Sequence, residues 1–163
     1  MPETWVVKAS LVITLAKAGH LGLITALTSE VLVPEAVALE ILAAPATDPA
    51  RQAMEASWGQ RIAAVEVPSA VLEWGLGDGE SAVLAVALAR QGCSAVLDDA
   101  LGRKCARTLG VPLLGTLGIV LRARKQGHIP AAVQVLRDLR AAGLYLDDDT
   151  IAHALRHSVG ESW

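Results

Sequence analysis

The sequence is poor in aromatic residues, which make up 3% of its 163 residues, and phenylalanine is absent. A chain with so few aromatic side chains lacks the base-stacking platform that many single-strand-binding proteins use. Hydrophobic residues nevertheless account for 53% of the composition. Because Val, Leu, Ile and Ala must then fill the core, the composition favours a parallel sheet covered by Ala-rich helices.

Cysteine is also scarce, and the two residues present, Cys93 and Cys105, do not form a C-x-x-C motif. We interpret them as buried reduced thiols, with a metal or redox role as the alternative. The sequence shows no secretory leader pattern, so we expect a cytoplasmic protein. Its apolar runs are shorter than the ~18 residues of a membrane span, so we expect no membrane partner.

An excess of positive charge is lacking too, because the net charge is −3. Any site for a polyanion must therefore be a local patch rather than a property of the whole surface. The length favours one domain over residues 1–163, in which 144–163 is a candidate partner-binding tail containing a possible helix at 151–157.

Short apolar strands alternate with helices along the chain, as in α/β proteins. We predict a three-layer α/β/α sandwich with a mainly parallel central sheet. The predicted strands are 5–7, 31–33, 62–67, 95–97 and 111–114. Two helix caps are also predicted, Ser10 before a helix at 11–17 and Asp78 before a helix that runs to Arg90.

Four carboxylates follow strands or begin helices in this pattern: Glu40, Glu80, Asp98 and Asp99. A parallel sheet would gather them at the carboxyl ends of its strands. Mg²⁺ and Mn²⁺ prefer oxygen ligands, and such ions assist phosphodiester cleavage. Each acid also has a structural alternative, since acids favour the first turn of a helix and Asp98 could cap the helix that begins at Ala100.

Six of the fourteen basic residues lie between positions 103 and 125, where acidic residues are absent. Arg103 and Arg107 are one helical turn apart and could hold a phosphate near the acids, and a solvated helix face is the alternative. Thr116 is a third candidate phosphate ligand, because it sits where a strand meets a helix N-terminus. Its alternative role is an N-cap.

Three motifs occur at regular intervals: GDGE at 77–80, VLDD-x-x-x-R at 96–103 and GTLG at 115–118. Together with the opening segment at 4–42, they resemble the PIN-domain-like family, in the branch similar to toxins of the VapC type. The resemblance covers nearly the whole chain. It implies a compact α/β sandwich, a Mg²⁺- or Mn²⁺-dependent ribonuclease, RNA as a partner, a homodimer and a small antitoxin-like inhibitor protein.

The resemblance also implies which residues form the site. It assigns Glu40, Glu80 and Asp99 as metal ligands, with Asp98 beside them as a fourth catalytic acid. The first acidic position of the family, in a D/N-x-S pattern, is here Lys8, followed by Ala9 and Ser10. A protonated lysine cannot bind a metal ion. We expect Lys8 to pair with Glu40 or Asp99 in place of the cation, and a Lys8 that extends to solvent is the alternative.

Lys8 separates two functional hypotheses. The first is a metal-dependent, toxin-like ribonuclease weakened by Lys8. The second is a catalytically degenerate PIN-like module that binds RNA or a protein partner. A phospho-acceptor receiver domain is a third class, but the paired acids of such domains lie near the amino terminus, whereas Asp98 and Asp99 follow the fourth predicted strand.

Overall fold

A sheet of five parallel strands forms the centre of the protein. The computed structural model describes residues 3–163. The strands are β1 Thr4–Val7, β2 Glu30–Pro34, β3 Gln60–Ile62, β4 Cys93–Val96 and β5 Leu113–Leu114. Their order across the sheet is β3-β2-β1-β4-β5. The predicted α/β/α sandwich is confirmed, and the sheet of the described residues is parallel throughout.

Helices connect and cover these strands in the described part of the chain. The first five are α1 Ala9–Lys17, α2 Gly22–Leu27, α3 Glu35–Leu42, α4 Pro49–Glu55 and α5 Ser69–Leu72. The other five are α6 Asp78–Ala89, α7 Ala100–Thr108, α8 Thr116–Lys125, α9 Ala132–Ala141 and α10 Asp148–Val159. None of the helices in residues 3–163 combines the length and the apolar character that crossing a bilayer requires.

The strand order changes direction beside β1. The chain builds outward from β1 through β2 to β3, and then returns to place β4 on the other side of β1. Val7 at the end of β1 is paired with Val96 at the end of β4. In open parallel sheets, sites form in the crevice outside the carboxyl ends of the strands at such a switch point. We call this region, at the ends of β1, β4 and β5, the carboxyl edge.

Aliphatic side chains fill the core, as the composition predicts. The largest fully buried side chains include Trp5, Leu32 and Leu97 from the strands or their ends and Leu84 from α6. Cys93 and Cys105 are free and buried, and burial raises the pKa of both thiols. A raised pKa disfavours the reactive thiolate, in agreement with their interpretation as packing residues.

Both predicted caps are wrong, because each helix begins earlier than the sequence suggested. Lys8 has an extended backbone and is the N-cap of α1, so Ser10 already lies in the first turn. Gly77 is likewise the N-cap of α6, and Asp78 is the first helical residue. A capping residue must precede the helical conformation, so neither side chain is placed to cap.

The third strand is shorter than predicted and lies earlier in the chain. Residues 62–67 were expected to pair, but β3 ends at Ile62. It is an edge strand of three residues that pairs with β2 alone. Residues 63–66 are exposed, so their apolar members gain little from extending the ladder.

The last helix packs onto the rest of the protein. Ile151 and Leu155 of α10 are buried, and α10 contacts α8 and α9. Beyond it, Glu161 accepts hydrogen bonds from the backbone N–H groups of Ala132 (3.0 Å) and Val133 (2.9 Å) at the start of α9. The apolar face of this segment is thus used within the chain, and binding of a partner by residues 144–163 stays a prediction.

Arg124 completes the environment of Glu161, with its Nε 3.2 Å from the carboxylate. Burial raises the pKa of this carboxyl, but the two backbone N–H groups and Arg124 more than offset burial, so the pKa lies below its ordinary value of 4.5. The charged form of Glu161 is therefore stabilised by folding.

We expect Glu161→Gln to lower the free energy of unfolding at pH 7 by about 1–2 kcal/mol, because charge-assisted hydrogen bonds to two helix N–H groups are weakened. A lowered pKa contributes stability that is complete above pH 4.5 and is lost as the pH falls through the folded value. The deficit of the variant should therefore shrink in urea titrations below pH 4.5. Glu66→Gln, at an exposed position, is the control. An equal deficit at all pH values would contradict this account.

Candidate active site at the carboxyl edge

Four charged residues lie at or beside the carboxyl edge. Lys8 directly follows β1, Asp98 and Asp99 follow β4 after Leu97, and Glu80 is the third residue of α6. The pairing of Val7 with Val96 brings the ends of β1 and β4 side by side. This parallel pairing is the reason that residues far apart in the sequence lie at one edge of the sheet, as the sequence predicts.

Lys8 forms an ion pair with Glu80. The Lys8 Nζ lies 2.5 Å from the Glu80 Oε1, and the two side chains are 18% and 17% exposed. The sequence-based expectation that Lys8 pairs with Glu40 or Asp99 is wrong, and so is the alternative that it extends to solvent. Glu80 reaches Lys8 because it folds back over Gly77, where an added Cβ would lie 2.7 Å from its Oε2.

Glu40 lies beside the first turn of α6, close to Gly79. It is exposed on α3, and its Oε1 is 3.6 Å from the position that a Cβ on Gly79 would take. Helices α3 and α6 pack against each other, which places Glu40 beside the start of α6. The structure therefore brings Glu40 and Glu80 to one turn, but the cation that contacts Glu80 is Lys8.

Asp98 is held by the N-terminus of α8. Its carboxylate accepts hydrogen bonds from the backbone N–H (2.8 Å) and the hydroxyl (2.5 Å) of Thr116. Thr116 is 1% exposed and is the first residue of α8, whose N-cap is Gly115. The alternative role of Thr116 as an N-cap is therefore wrong. The backbone N–H and the hydroxyl of Thr116 thus both bind the chain's own Asp98, and phosphate binding by Thr116 stays a prediction.

Asp99 caps the helix that follows it. Its Oδ2 accepts a hydrogen bond of 2.8 Å from the backbone N–H of Gly102, and it is the N-cap of α7. The sequence offered this capping role to Asp98, which was wrong because the Asp98 side chain points across to Thr116. The two neighbouring acids thus serve the N-termini of two different helices.

The acids as arranged do not fit a divalent metal ion. Among residues 3–163, no three side chains of His, Cys, Asp or Glu are grouped closely enough to hold one. Glu80 contacts Lys8, Asp98 contacts Thr116 and Asp99 contacts Gly102. These contacts occupy acceptor positions of the three carboxylates, and a cation bound to Glu80 would lie next to the ammonium of Lys8. Metal binding by Glu40, Glu80 and Asp99 stays a prediction.

Half of the predicted basic cluster is engaged in internal contacts. Arg103 donates from Nη1 to the carbonyl of Leu97 (2.9 Å), Arg122 pairs with Glu3 (2.6 Å) and Arg124 pairs with Glu161. The other three members are exposed and have no ion pair within residues 3–163: Lys104, Arg107 and Lys125. Arg107 is thus free to contact a phosphate, whereas the guanidinium of Arg103 is already hydrogen-bonded to the carbonyl of Leu97, next to the end of β4.

No motif in the sequence predicts that the segment after α9 borders this site. A pocket of about 180 Å³ lies between residues 143–145 and the edge, and its lining includes Ser10, Thr14 and Asp98. A second pocket of about 450 Å³ on the far side of Asp98 is lined by Arg103, by leucines of β5 and α8 and by Leu146. The alternation Leu144-Tyr145-Leu146 was the one available signal of an inward and outward pattern.

Thr116→Val should destabilise the protein by about 1–3 kcal/mol, because it leaves the half-buried carboxylate of Asp98 without its hydroxyl donor. Thr116→Ser keeps the hydroxyl and should restore most of the stability. Chemical denaturation of the three proteins measures the difference, with Thr47→Val at an exposed loop position as the control for the loss of a hydroxyl. Equal stability of the Val and Ser variants would show that the contact contributes nothing.

Comparison with known families agrees with this architecture. A family model described as DUF3368, PIN domain, matches residues 4–161, nearly the whole chain. A search of curated proteins gave no match. The PIN domain is a nuclease-type fold, and the matched residues include the five strands and the charged residues of the carboxyl edge. The chain therefore belongs to the DUF3368 family of PIN domains.

Proposed function

We propose that this PIN domain binds RNA and that Lys8 has replaced the metal ion of its acidic centre, so that it does not cleave the RNA. The observation that carries the proposal is the ion pair between the Lys8 Nζ and the Glu80 Oε1, at 2.5 Å. The ammonium cancels part of the repulsion among the acids that a bound cation would otherwise relieve.

The cost of removing Lys8 from this position supports the proposal. Both side chains are more than four-fifths buried. Breaking a pair of this kind leaves an uncompensated charge in a poorly solvated place, which is strongly destabilising. A Mg²⁺ or Mn²⁺ ion that binds Glu80 must either displace Lys8 or sit next to its positive charge. We therefore propose that the affinity for a divalent ion is low.

The exposed basic residues of α7, next to the carboxyl edge, support RNA as the partner. Helix α7 begins directly after Asp99, and its Lys104 and Arg107 are exposed and have no ion pair within residues 3–163. Such cations can contact backbone phosphates with little internal rearrangement. Because the net charge is −3, binding would depend on this local patch and would weaken as salt increases.

The second candidate function is a toxin-like ribonuclease that depends on Mg²⁺ or Mn²⁺. It is favoured by one observation, that Glu40 of α3 lies beside the first turn of α6, which carries Glu80. In this case Glu40, Glu80, Asp98 and Asp99 would be the catalytic acids, Arg103, Arg107 and Thr116 the phosphate ligands, and a small antitoxin-like protein the inhibitor.

For either function we propose a cytoplasmic homodimer. The support is two leucines that are exposed on helices: Leu39 of α3 is 56% exposed and Leu72 of α5 is 61% exposed. Apolar side chains exposed to this degree are common at interfaces between subunits.

The substitution Lys8→Asp distinguishes the two proposed functions, because they predict different Mn²⁺ binding and RNA cleavage. If Lys8 stands in place of the metal ion, the wild type should bind labelled single-stranded RNA in EDTA and should not cleave it when Mn²⁺ is added. Lys8→Asp should bind Mn²⁺ at least about tenfold more tightly than the wild type, because a positive charge next to Glu80 is exchanged for a negative one. Calorimetry with Mn²⁺ and a gel assay of RNA cleavage measure the two effects.

Lys17→Asp is the matched control, since Lys17 is exposed at the opposite end of α1 and the change in charge is the same. Thermal denaturation verifies that each variant is folded. Tight Mn²⁺ binding and RNA cleavage by the wild type, both lost in Glu80→Gln, would overturn the proposal in favour of the metal-dependent ribonuclease. Failure of the wild type to bind RNA would exclude the RNA-binding function.

A further inference from the structure

Tyr145, the one tyrosine of the chain, is almost fully exposed. Its side chain is 91% exposed, more than any other large hydrophobic residue in the described part of the protein. It lies between Leu144 and Leu146, which both pack against the hydrophobic core. The local alternation thus turns two leucines inward and the aromatic ring outward. A large aromatic side chain left in water is a common mark of a binding surface.

The backbone around Tyr145 is held in place on both sides. Gly143 ends α9 with a positive φ of 112°, which lets the N–H of Leu144 donate to the carbonyl of Leu139 (2.9 Å). The carbonyl of Leu146 accepts a hydrogen bond of 2.5 Å from Arg140. The segment is therefore anchored before and after the tyrosine, and its exposure does not result from a frayed loop.

Two of the acids that follow Tyr145 are also engaged in this anchoring. Asp147 caps α10 through the N–H of Thr150 (3.0 Å). Asp148 pairs with Arg140 and accepts a hydrogen bond of 2.8 Å from the Trp163 indole. Because these carboxylates have internal partners, the negative charge that they present to a ligand beside Tyr145 is reduced.

The face of this segment toward the carboxyl edge borders a small pocket. Its volume is about 180 Å³, and Leu144 and Tyr145 line it together with Ser10, Leu11, Thr14 and Asp98. The volume is below the roughly 300–1,000 Å³ of sites for drug-sized ligands, so the pocket has room for a single flat group. Its walls combine apolar carbon with hydroxyl and carboxylate oxygens, which can meet the polar rim of such a group.

We propose that Tyr145 stacks on one unpaired base of the RNA, whose polar edge enters the pocket beside Asp98. This assignment rests on the proposed RNA binding and adds the residue that contacts the base. A nucleobase is planar, aromatic and polar at its rim, and proteins that bind single-stranded RNA combine contacts to the phosphates with stacking of bases on aromatic side chains. One exposed ring supplies one stacking contact without a strong sequence preference, in keeping with the low aromatic content of the chain.

The test compares RNA with and without bases. We expect Tyr145→Ala to weaken binding of a fluorescein-labelled oligo(A) RNA by about 5- to 150-fold, the range of one base–aromatic stack. Tyr145→Phe keeps the ring and should bind like the wild type. An abasic oligoribonucleotide of the same length keeps the phosphates, so Tyr145→Ala should not weaken its binding. Fluorescence anisotropy at fixed salt gives the affinities.

Leu88→Ala is the matched control, because Leu88 is also exposed but lies in the last turn of α6, at the opposite end of that helix from Glu80. It should leave both affinities unchanged. Equal affinity of wild type and Tyr145→Ala for oligo(A) would overturn the role of Tyr145 and leave RNA binding standing, and would point to a protein partner for this ring. An equal loss with abasic RNA would also overturn it. No binding of either RNA by the wild type would instead overturn the proposed function.

Discussion

The ion pair between Lys8 and Glu80 determines the chemistry of the carboxyl edge. It joins the end of β1 to the first turn of α6 at the point where the strand order changes direction. A buried pair of this kind adds little net stability, because removing both charges from water costs about as much as their attraction returns. Each partner nevertheless depends on the other, since either charge alone would be poorly solvated. The pair therefore fixes which charge the centre of the edge presents.

The other two acids that follow β4, Asp98 and Asp99, are also neutralised in part within the chain, by the N-termini of helices. A parallel α/β fold brings the N-termini of several helices to the carboxyl ends of its strands, and each N-terminus favours a negative group. Asp99 takes this position at α7, and Asp98 takes it at α8 through Thr116. The attraction of helix N-termini for negative groups can thus bind a ligand, but it can equally bind the chain's own carboxylates as structural caps. Position alone cannot distinguish the two, and the partner of each carboxylate must be known.

This explains how much could be predicted from the sequence. Four of the five strands were predictable because their apolar residues are continuous, whereas β3, a short edge strand, lies earlier than predicted. The meeting of Lys8 with the acids followed from parallel topology. The partner of Lys8 was not predictable, since it depends on Glu80 turning back over Gly77. The exchange of roles between Asp98 and Asp99 depends on the direction of two adjacent side chains. The alternation Leu144-Tyr145-Leu146 indicates opposite directions for neighbouring side chains, but which of them faces the solvent depends on the path of the chain after α9.

If Lys8 stands in the place of a metal ion, as we propose, it changes what the edge can do. An ammonium donates hydrogen bonds and carries one positive charge, but it has no vacant coordination position for water and cannot generate a hydroxide nucleophile as a divalent ion does. It is also permanently attached, so the charge of the edge does not vary with the concentration of free metal. An edge of this kind retains the means to hold a strand and loses the principal means to hydrolyse it. In the proposed function, binding to RNA is the part of the PIN-domain chemistry that the Lys8–Glu80 pair leaves intact.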